Sequence, residues 1–242
     1  MPTASRFLAM CAISVALATL SIASAQTYTT IDFPGAVATT LNGGPNPEGT
    51  NIGSYTDTGG LTHGFMLKKG VFASFDPPGS VVTSPNWISP QGAIVGSFID
   101  AGGRNHGFTL SGGTYTTVDF PGAAGTVLTS LNPSGQLSGF SCVLPSCASV
   151  LHSFLISKQG AFTSFDPPGA ISSQANTVTP SGTVFGSYTD SGGVEHGYVL
   201  SHGTFTTIDF PGSISPLSEP AIPRATVSGN TSIPPTSPTL FY

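Results

Sequence analysis

The sequence predicts an all-β fold, a five-bladed β-propeller built from antiparallel units of about 43 residues. An Asp followed closely by Pro-Gly recurs at intervals of 43 to 47 residues, at Asp32, Asp76, Asp119, Asp166 and Asp209. A His-x-aromatic motif stands between successive aspartates, at His63, His106, His152 and His196. A fixed period of this length is typical of circular or stacked β units.

The hairpin that ends each unit can be derived from the stretch between His106 and Asp119. Two β-rich runs flank Gly112-Gly113, and a two-residue glycine turn favours a tight hairpin. This register places His106 opposite Asp119, close enough for a hydrogen bond. Equivalent turns are predicted at residues 69–70 and 202–203, and a three-residue loop at 158–160. The predicted structural pairs are His63–Asp76, His106–Asp119, His152–Asp166 and His196–Asp209.

The same pairs could instead be catalytic dyads or metal ligands. Four copies in four separate units cannot converge on one reaction centre, so we expect the pairs to be structural. No catalytic, cofactor-binding or metal-binding residues are predicted, and no cofactor is expected.

The other strands of each unit are bounded by turns. Residues 93–98 form a predicted strand, matched by 50–55, 136–140 and 183–188, and each follows a Pro-x-Gly turn. Three of these strands lead into an Asp-x-Gly-Gly turn, at Asp57, Asp100 and Asp190. One acid per turn is too few for calcium, so we expect each Asp to cap its own backbone. A weaker strand is predicted before the Pro-x-Gly turn, for example at 126–131.

The third unit replaces the Asp-x-Gly-Gly turn with a loop that contains Cys142 and Cys147. They are the two of the three cysteines that lie beyond residues 1–25, a predicted signal peptide, and an even number of cysteines in an exported chain favours a disulfide. A metal site that uses the nearby His152 is the alternative.

Residues 1–25 are predicted to be a signal peptide. Arg6 precedes an apolar stretch at 7–22, and Ala-Ser-Ala at 23–25 is a small-residue cleavage site. A membrane anchor is the alternative, but the apolar stretch is short. We therefore expect a secreted protein, extracellular or else periplasmic or attached to the cell surface, with one repeat domain at 26–242.

The two ends of this domain complement each other. Residues 27–32 resemble only the last strand of a unit, whereas 225–229 and 239–242 resemble the strands that precede it. Pairing them would complete a split fifth blade and remove exposed sheet edges. The Pro-rich segment 211–238 is the least regular part of the repeat. The alternative architecture is an open β-hairpin repeat stack.

The repeated pattern Gly-Ser-Tyr-Thr-Asp-x-Gly-Gly-x-x-His-Gly-Phe, followed by Gly-x-Phe-Thr-Thr-Ile-Asp-x-Pro-Gly, resembles the bacterial extracellular repeat family named for its His-Ala-Phe (HAF) motif. The resemblance covers the chain after residue 25. The middle Ala is replaced by Gly64, Gly107, Ser153 and Gly197. The resemblance implies export and repetition, and it implies no activity.

The amino-acid composition disfavours some classes of function. The chain has 6 Lys and Arg against 11 Asp and Glu, and it has no basic run, which disfavours nucleic-acid binding. No segment after the signal peptide is apolar enough to span a membrane, and we expect a monomer. The prediction is a non-enzymatic binding or surface-interaction module for an unknown extracellular glycan or protein ligand.

Trp87 is the candidate ligand-stacking residue, and its alternative role is to fill the core. A structural envelope or matrix protein is the second hypothesis. A glycan-degrading propeller enzyme is less favoured, because Glu48, Glu195 and Glu219 are expected in turns or in the Pro-rich segment rather than as a catalytic pair.

Overall fold

The computed structural model describes residues 29–209, and all regular structure in this range is β. The chain divides into a short unit, Met1–Ile31, and a long unit, Asp32–Tyr242, to which all the strands below belong. The sixteen strands are β1 Ala38–Gly43, β2 Thr50–Thr56, β3 Thr62–Lys68, β4 Val71–Phe75, β5 Ser80–Ile88, β6 Ile94–Asp100, β7 Asn105–Ser111, β8 Thr114–Val118, β9 Gly125–Leu131, β10 Leu137–Cys142, β11 Leu151–Ile156, β12 Phe162–Phe165, β13 Ala170–Val178, β14 Val184–Asp190, β15 Glu195–Ser201 and β16 Thr204–Ile208.

The strands form four antiparallel meanders of four strands each, which we call blades 1 to 4 in chain order: β1–β4, β5–β8, β9–β12 and β13–β16. Within each blade, every strand pairs with the next one along the chain. One parallel bridge, between Thr62 and Val82, joins blades 1 and 2 into an eight-stranded sheet. The predicted all-β class is confirmed.

The hairpin turns have the predicted length because glycine provides the backbone conformation that they need. Lys69 and Gly70 have φ values of 50° and 78°, and Gly112 and Gly113 have 56° and 81°. Positive φ at both central residues defines the type I′ turn, whose twist matches that of the flanking strands. In blade 3 the pairing of Ile156 with Phe162 leaves a longer loop.

The blades pack face to face, so blades 2 and 3 are each covered on both faces by a neighbouring blade. The first strands β1, β5, β9 and β13 contact one another in succession, and each second strand contacts the first strand of the next blade. Ile52 and Phe75 of blade 1 pack with Ile88 and Phe108 of blade 2 in one buried cluster. A sheet that is covered on both faces requires apolar side chains on both faces of its strands.

Side-chain hydrogen bonds also join the first strands of neighbouring blades. Each donor side chain lies in the first strand of a blade, three residues after a Thr that is buried or half-buried. Each acceptor is a backbone carbonyl in the first strand of the next blade. The bonds run from Asn42 Nδ2 to Pro85 O at 2.8 Å, from Asn86 Nδ2 to Leu128 O at 2.8 Å and from Thr129 Oγ1 to Ala175 O at 2.6 Å.

The predicted fifth blade depends largely on residues beyond the described range. Residues 29–32 form no strand, and 27–28, 225–229 and 239–242 lie outside the part that the structure describes. The signal peptide at 1–25 and the Pro-rich segment at 211–238 also lie outside it. The split blade and the ring closure stay predictions.

Candidate functional site

All four predicted His–Asp pairs are hydrogen-bonded. The imidazole comes from the third strand of a blade, and the aspartate directly follows the fourth strand in all four blades, as the hairpin register requires. The distances from Nδ1 to the nearer carboxylate oxygen are 2.7 Å for His63–Asp76, 3.0 Å for His106–Asp119, 2.9 Å for His152–Asp166 and 2.9 Å for His196–Asp209.

A second carboxylate holds three of these imidazoles. The Asp of the Asp-x-Gly-Gly turn approaches Nε2, at 3.4 Å for His63–Asp57, 3.2 Å for His106–Asp100 and 3.4 Å for His196–Asp190. We call each Asp–His–Asp set a clasp. This second contact was not predicted from the sequence, although the constant spacing of six residues between the turn Asp and the His indicates it.

The turn aspartates cap their own turns. Asp57 Oδ1 accepts a hydrogen bond from Leu61 N at 2.9 Å, and Asp100 Oδ1 accepts one from Arg104 N at 2.9 Å. These backbone N–H groups are the main reason that the pKa of Asp57 and of Asp100 is lowered. Asp190 makes the same bond to Val194 N.

In blades 1 and 4 the clasp also favours the charged imidazole. The pKa of His63 is raised, chiefly by its hydrogen bond to Asp76 and then by Asp57 against the opposing effect of burial. The pKa of His196 is raised in the same way, chiefly by Asp209. An imidazole whose two nitrogens both face carboxylates has no free lone pair to act as a base or a metal ligand.

Blade 3 departs from this pattern. A disulfide joins Cys142 and Cys147, as predicted, with a Cα–Cα distance of 5.0 Å. Its loop replaces the turn aspartate, so His152 has a single carboxylate partner among the described residues. The side chain of His152 is 42% exposed, against 16% for the clasped His106.

A cavity of about 420 Å³ lies beside His152. Its lining residues come from the turn after β8, from the end of β10 and from the start of β11. They are Phe120, Pro121, Gly122, Ala123, Ala124, Ser141, Cys142, Val143 and His152.

Trp87 lies on the surface, near the end of β5, with 40% of its area exposed. It lines a cavity of about 240 Å³ together with Pro45 and Pro47 of blade 1 and Pro90 of blade 2. The residues three positions before the turn proline in blades 1, 3 and 4 are Gly44, Ser130 and Thr177. Among the four described blades, only blade 2 therefore has an exposed aromatic ring at this point of the repeat, and this exposure argues against a core-filling role.

Of the acids considered for the enzyme hypothesis, Glu48 and Glu195 lie within the described residues, in blades 1 and 4. Glu48 lies in a turn and makes an exposed ion pair with Lys68 at 2.6 Å, whereas Glu195 begins β15 rather than lying in a turn. Glu219 is outside residues 29–209. Within that range, no group of three or more His, Cys, Asp or Glu side chains is arranged to hold a metal ion. The same range contains no helix with the length and apolar character that crossing a membrane requires.

Comparison with known proteins identifies the fold and no family. No protein-family model matches the sequence, and no curated protein matches it. Among solved structures, TolB from Acinetobacter baumannii is similar, with a TM-score of 0.53 and 14% identity over 71% of this chain and 42% of the TolB chain.

Two other structures resemble the chain less closely. They are a triple-arginine mutant of AofleA from Arthrobotrys oligospora, with a TM-score of 0.47 and 11% identity, and a mutant of the Aleuria aurantia lectin in complex with alpha-methyl-L-fucoside, with a TM-score of 0.45 and 12% identity. Each match covers 71% of this chain, and 56% and 58% of the other chains. The chain thus spans about half the length of the structures it resembles, and its fold is β-propeller-like.

Proposed function

We propose that this chain is a secreted, non-enzymatic binding module that takes a glycan at Trp87. The observation that carries the proposal is the 40% exposure of the Trp87 ring at a repeat position that is filled by small residues in the other three described blades. Residues that recur in every blade build the scaffold, so a large departure from the repeat is where a ligand contact is expected.

The surroundings of Trp87 suit a sugar ring. The prolines at 45, 47 and 90 make a stiff, uncharged wall beside the indole. Tryptophan combines a large apolar surface with one N–H donor, and such a ring stacks well on the apolar face of a sugar. The neighbouring Asn46 is occupied by the fold, because its Oδ1 accepts bonds from Glu48 N and Thr50 N.

The test uses purified residues 26–242 on a glycan array, followed by titration of each glycan that is bound. Because the chain has 1 Trp, its fluorescence reports on Trp87 alone when it is excited at a wavelength that tyrosine does not absorb. We expect saturable binding with a change in emission, and loss of binding in Trp87→Ala. Ile171→Ala, which truncates another exposed apolar residue, is the matched control and should bind normally.

Absence of binding to every glycan would reject the proposal. The protein-ligand alternative and the structural envelope or matrix alternative would then be preferred, and neighbouring surface proteins would be tested as partners. Normal glycan binding by Trp87→Ala would reject the site alone. The proposed secretion is tested separately, by N-terminal sequencing of the exported protein, which should begin at Gln26.

We also propose that the chain is a relative of the HAF-type repeat proteins and, separately, that a fifth blade completes the ring. The second strand of each described blade contains one glycine, and the residue just before it can be compared between blades. That residue is fully buried in blades 1 and 2, at Ile52 and Val95, but in blade 4 it is Phe185, which is 42% exposed. At the opposite end, Leu41 of blade 1 is 43% exposed, whereas its equivalent Leu128 is fully buried. Each end of the row therefore has an uncovered face of the kind that a neighbouring blade covers.

Deletion tests this closure. Removing residues 26–33 should lower the melting temperature far more than trimming an ordinary terminus does, because it would take the last strand from the split blade. Unchanged melting would favour the open hairpin stack.

A further inference from the structure

We propose that the cavity beside His152 binds a small carboxylic acid with a compact apolar body, and that the carboxylate of this ligand takes the place of the turn aspartate that blade 3 lacks. This site is separate from Trp87 and does not depend on the glycan proposal.

The position of the missing aspartate can be identified. Asp57 lies four residues after Gly53, and Val143 lies four residues after Gly139, the corresponding glycine of β10. The backbone N–H of Asp57 donates across the turn to Leu61 O, and that of Val143 donates across the longer loop to Val150 O. Val143 is therefore the structural equivalent of the turn aspartates, and it lines the cavity.

The other blades show what the second imidazole nitrogen accepts as a partner. In blades 1, 2 and 4 a carboxylate oxygen lies 3.2 to 3.4 Å from Nε2. His152 is oriented as its counterparts are, because Asp166 holds Nδ1 at 2.9 Å. A carboxylate that enters the cavity would complete the same charge-assisted arrangement, which is stronger than a neutral hydrogen bond.

The rest of the cavity supports an acid with an apolar body. Phe120, Pro121, Ala123 and Val143 supply apolar surface, and His152 is the one titratable side chain among the lining residues. A positive charge is close by, since Arg104 Nη2 donates to Ala123 O on the cavity wall at 3.3 Å. Asp119, at 3.9 Å, offsets part of this charge. Among the described residues, Arg104 Nε is buried without a hydrogen-bond partner.

The experiment titrates the full mature chain, with ¹⁵N-labelled histidine, with sodium benzoate and observes the imidazole nitrogens by NMR. We expect a saturable shift of the His152 signals alone. Benzyl alcohol, which has the ring without the charge, should produce no comparable shift. Trp87→Ala should respond to benzoate as the unmodified chain does.

Two substitutions at one position provide the decisive comparison. Val143→Asp should shift the imidazole nitrogen signals of His152 towards those of the clasped histidines without any ligand. It should also weaken benzoate binding at least tenfold. Val143→Asn, of similar size but uncharged, should keep most of the binding. The unchanged signals of His63, His106 and His196 report that each variant is folded. No benzoate shift at His152, or equal binding by Val143→Asp and the unmodified chain, would overturn the proposal.

Discussion

The hydroxyl of Thr83 donates a hydrogen bond of 2.5 Å to Oδ1 of Asp76, the aspartate whose other oxygen holds His63. Thr83 lies in β5 of blade 2, whereas His63 lies in β3 of blade 1. Ser173 and Asp166 repeat the contact between blades 4 and 3, at 2.6 Å. The aspartate therefore has two roles: it closes its own hairpin and it bonds to the next blade.

Thr83→Val tests the link between blades. Valine has nearly the same shape, so the change removes the hydroxyl from a fully buried position and leaves Asp76 with one partner fewer. We expect a loss of about 1–3 kcal/mol in the free energy of unfolding, measured by chemical denaturation. Thr116→Val, on an exposed position of β8, is the control and should change stability little. Equal effects would argue against the link.

His106→Asn tests the clasp. His106 lies between Asp119 and Asp100, and its loss leaves two carboxylates without their shared hydrogen-bond partner. We expect a destabilisation of roughly 1–3 kcal/mol in thermal or chemical unfolding. His202→Asn is the matched control, because His202 occupies an exposed turn with φ 50°, which Asn tolerates. If the two variants unfolded alike, the clasps would not be structural.

The clasps also predict how stability depends on pH. The pKa values of His63 and His196 are raised above 6.5, so their contribution is complete below 6.5 and is lost as pH rises through the raised values. The pKa values of Asp57, Asp100 and Asp190 are lowered from 3.8, so their contribution is present above 3.8 and is lost as pH falls. The melting temperature should therefore be highest between these two limits.

A double variant checks this assignment. His63→Gln with His196→Gln should flatten the fall in melting temperature just above pH 6.5, since the two histidines with raised pKa are gone. An unchanged profile would show that other groups cause the pH dependence.

The disulfide should contribute modestly to stability. It closes a short loop, and the chain-entropy model assigns about 2 kcal/mol to a loop of this size. The loop also contacts blade 2, where Pro145 O accepts a bond from Asn105 N at 2.9 Å. We expect a reductant to lower the denaturation midpoint of the unmodified chain. The double variant Cys142→Ser with Cys147→Ser should already unfold at that lower midpoint and be insensitive to the reductant.

Gly107 illustrates why the middle residue of the His-x-aromatic motif is small. A Cβ there would lie 2.6 Å from Val118 O and 2.9 Å from the Leu128 side chain of the next blade. Gly107→Ala should therefore destabilise the protein by about 1–3 kcal/mol through overpacking. Gly44→Ala is the control, because its Cβ would meet nothing within 4 Å. Thermal melting compares the two, and similar melting temperatures would contradict the packing.

The sequence by itself determined the features that depend on neighbouring residues. The type I′ turn at Gly112-Gly113 and the pairing of His106 with Asp119 follow from local turn chemistry and from the two-residue period of a strand. The Cys142–Cys147 disulfide joins residues that are close in the chain. Such contacts need little loop closure, so composition and spacing are enough to predict them.

The tertiary structure decided what depends on the packing of one blade on the next. The bond from Asn42 to Pro85 O joins residues 43 apart, and no local rule selects Asn for that role. The exposure of Trp87 and the open cavity beside His152 depend likewise on which neighbouring blade covers each side chain. Burial is a property of the assembled blades, because a repeat pattern specifies which positions are equivalent but leaves open what covers each of them.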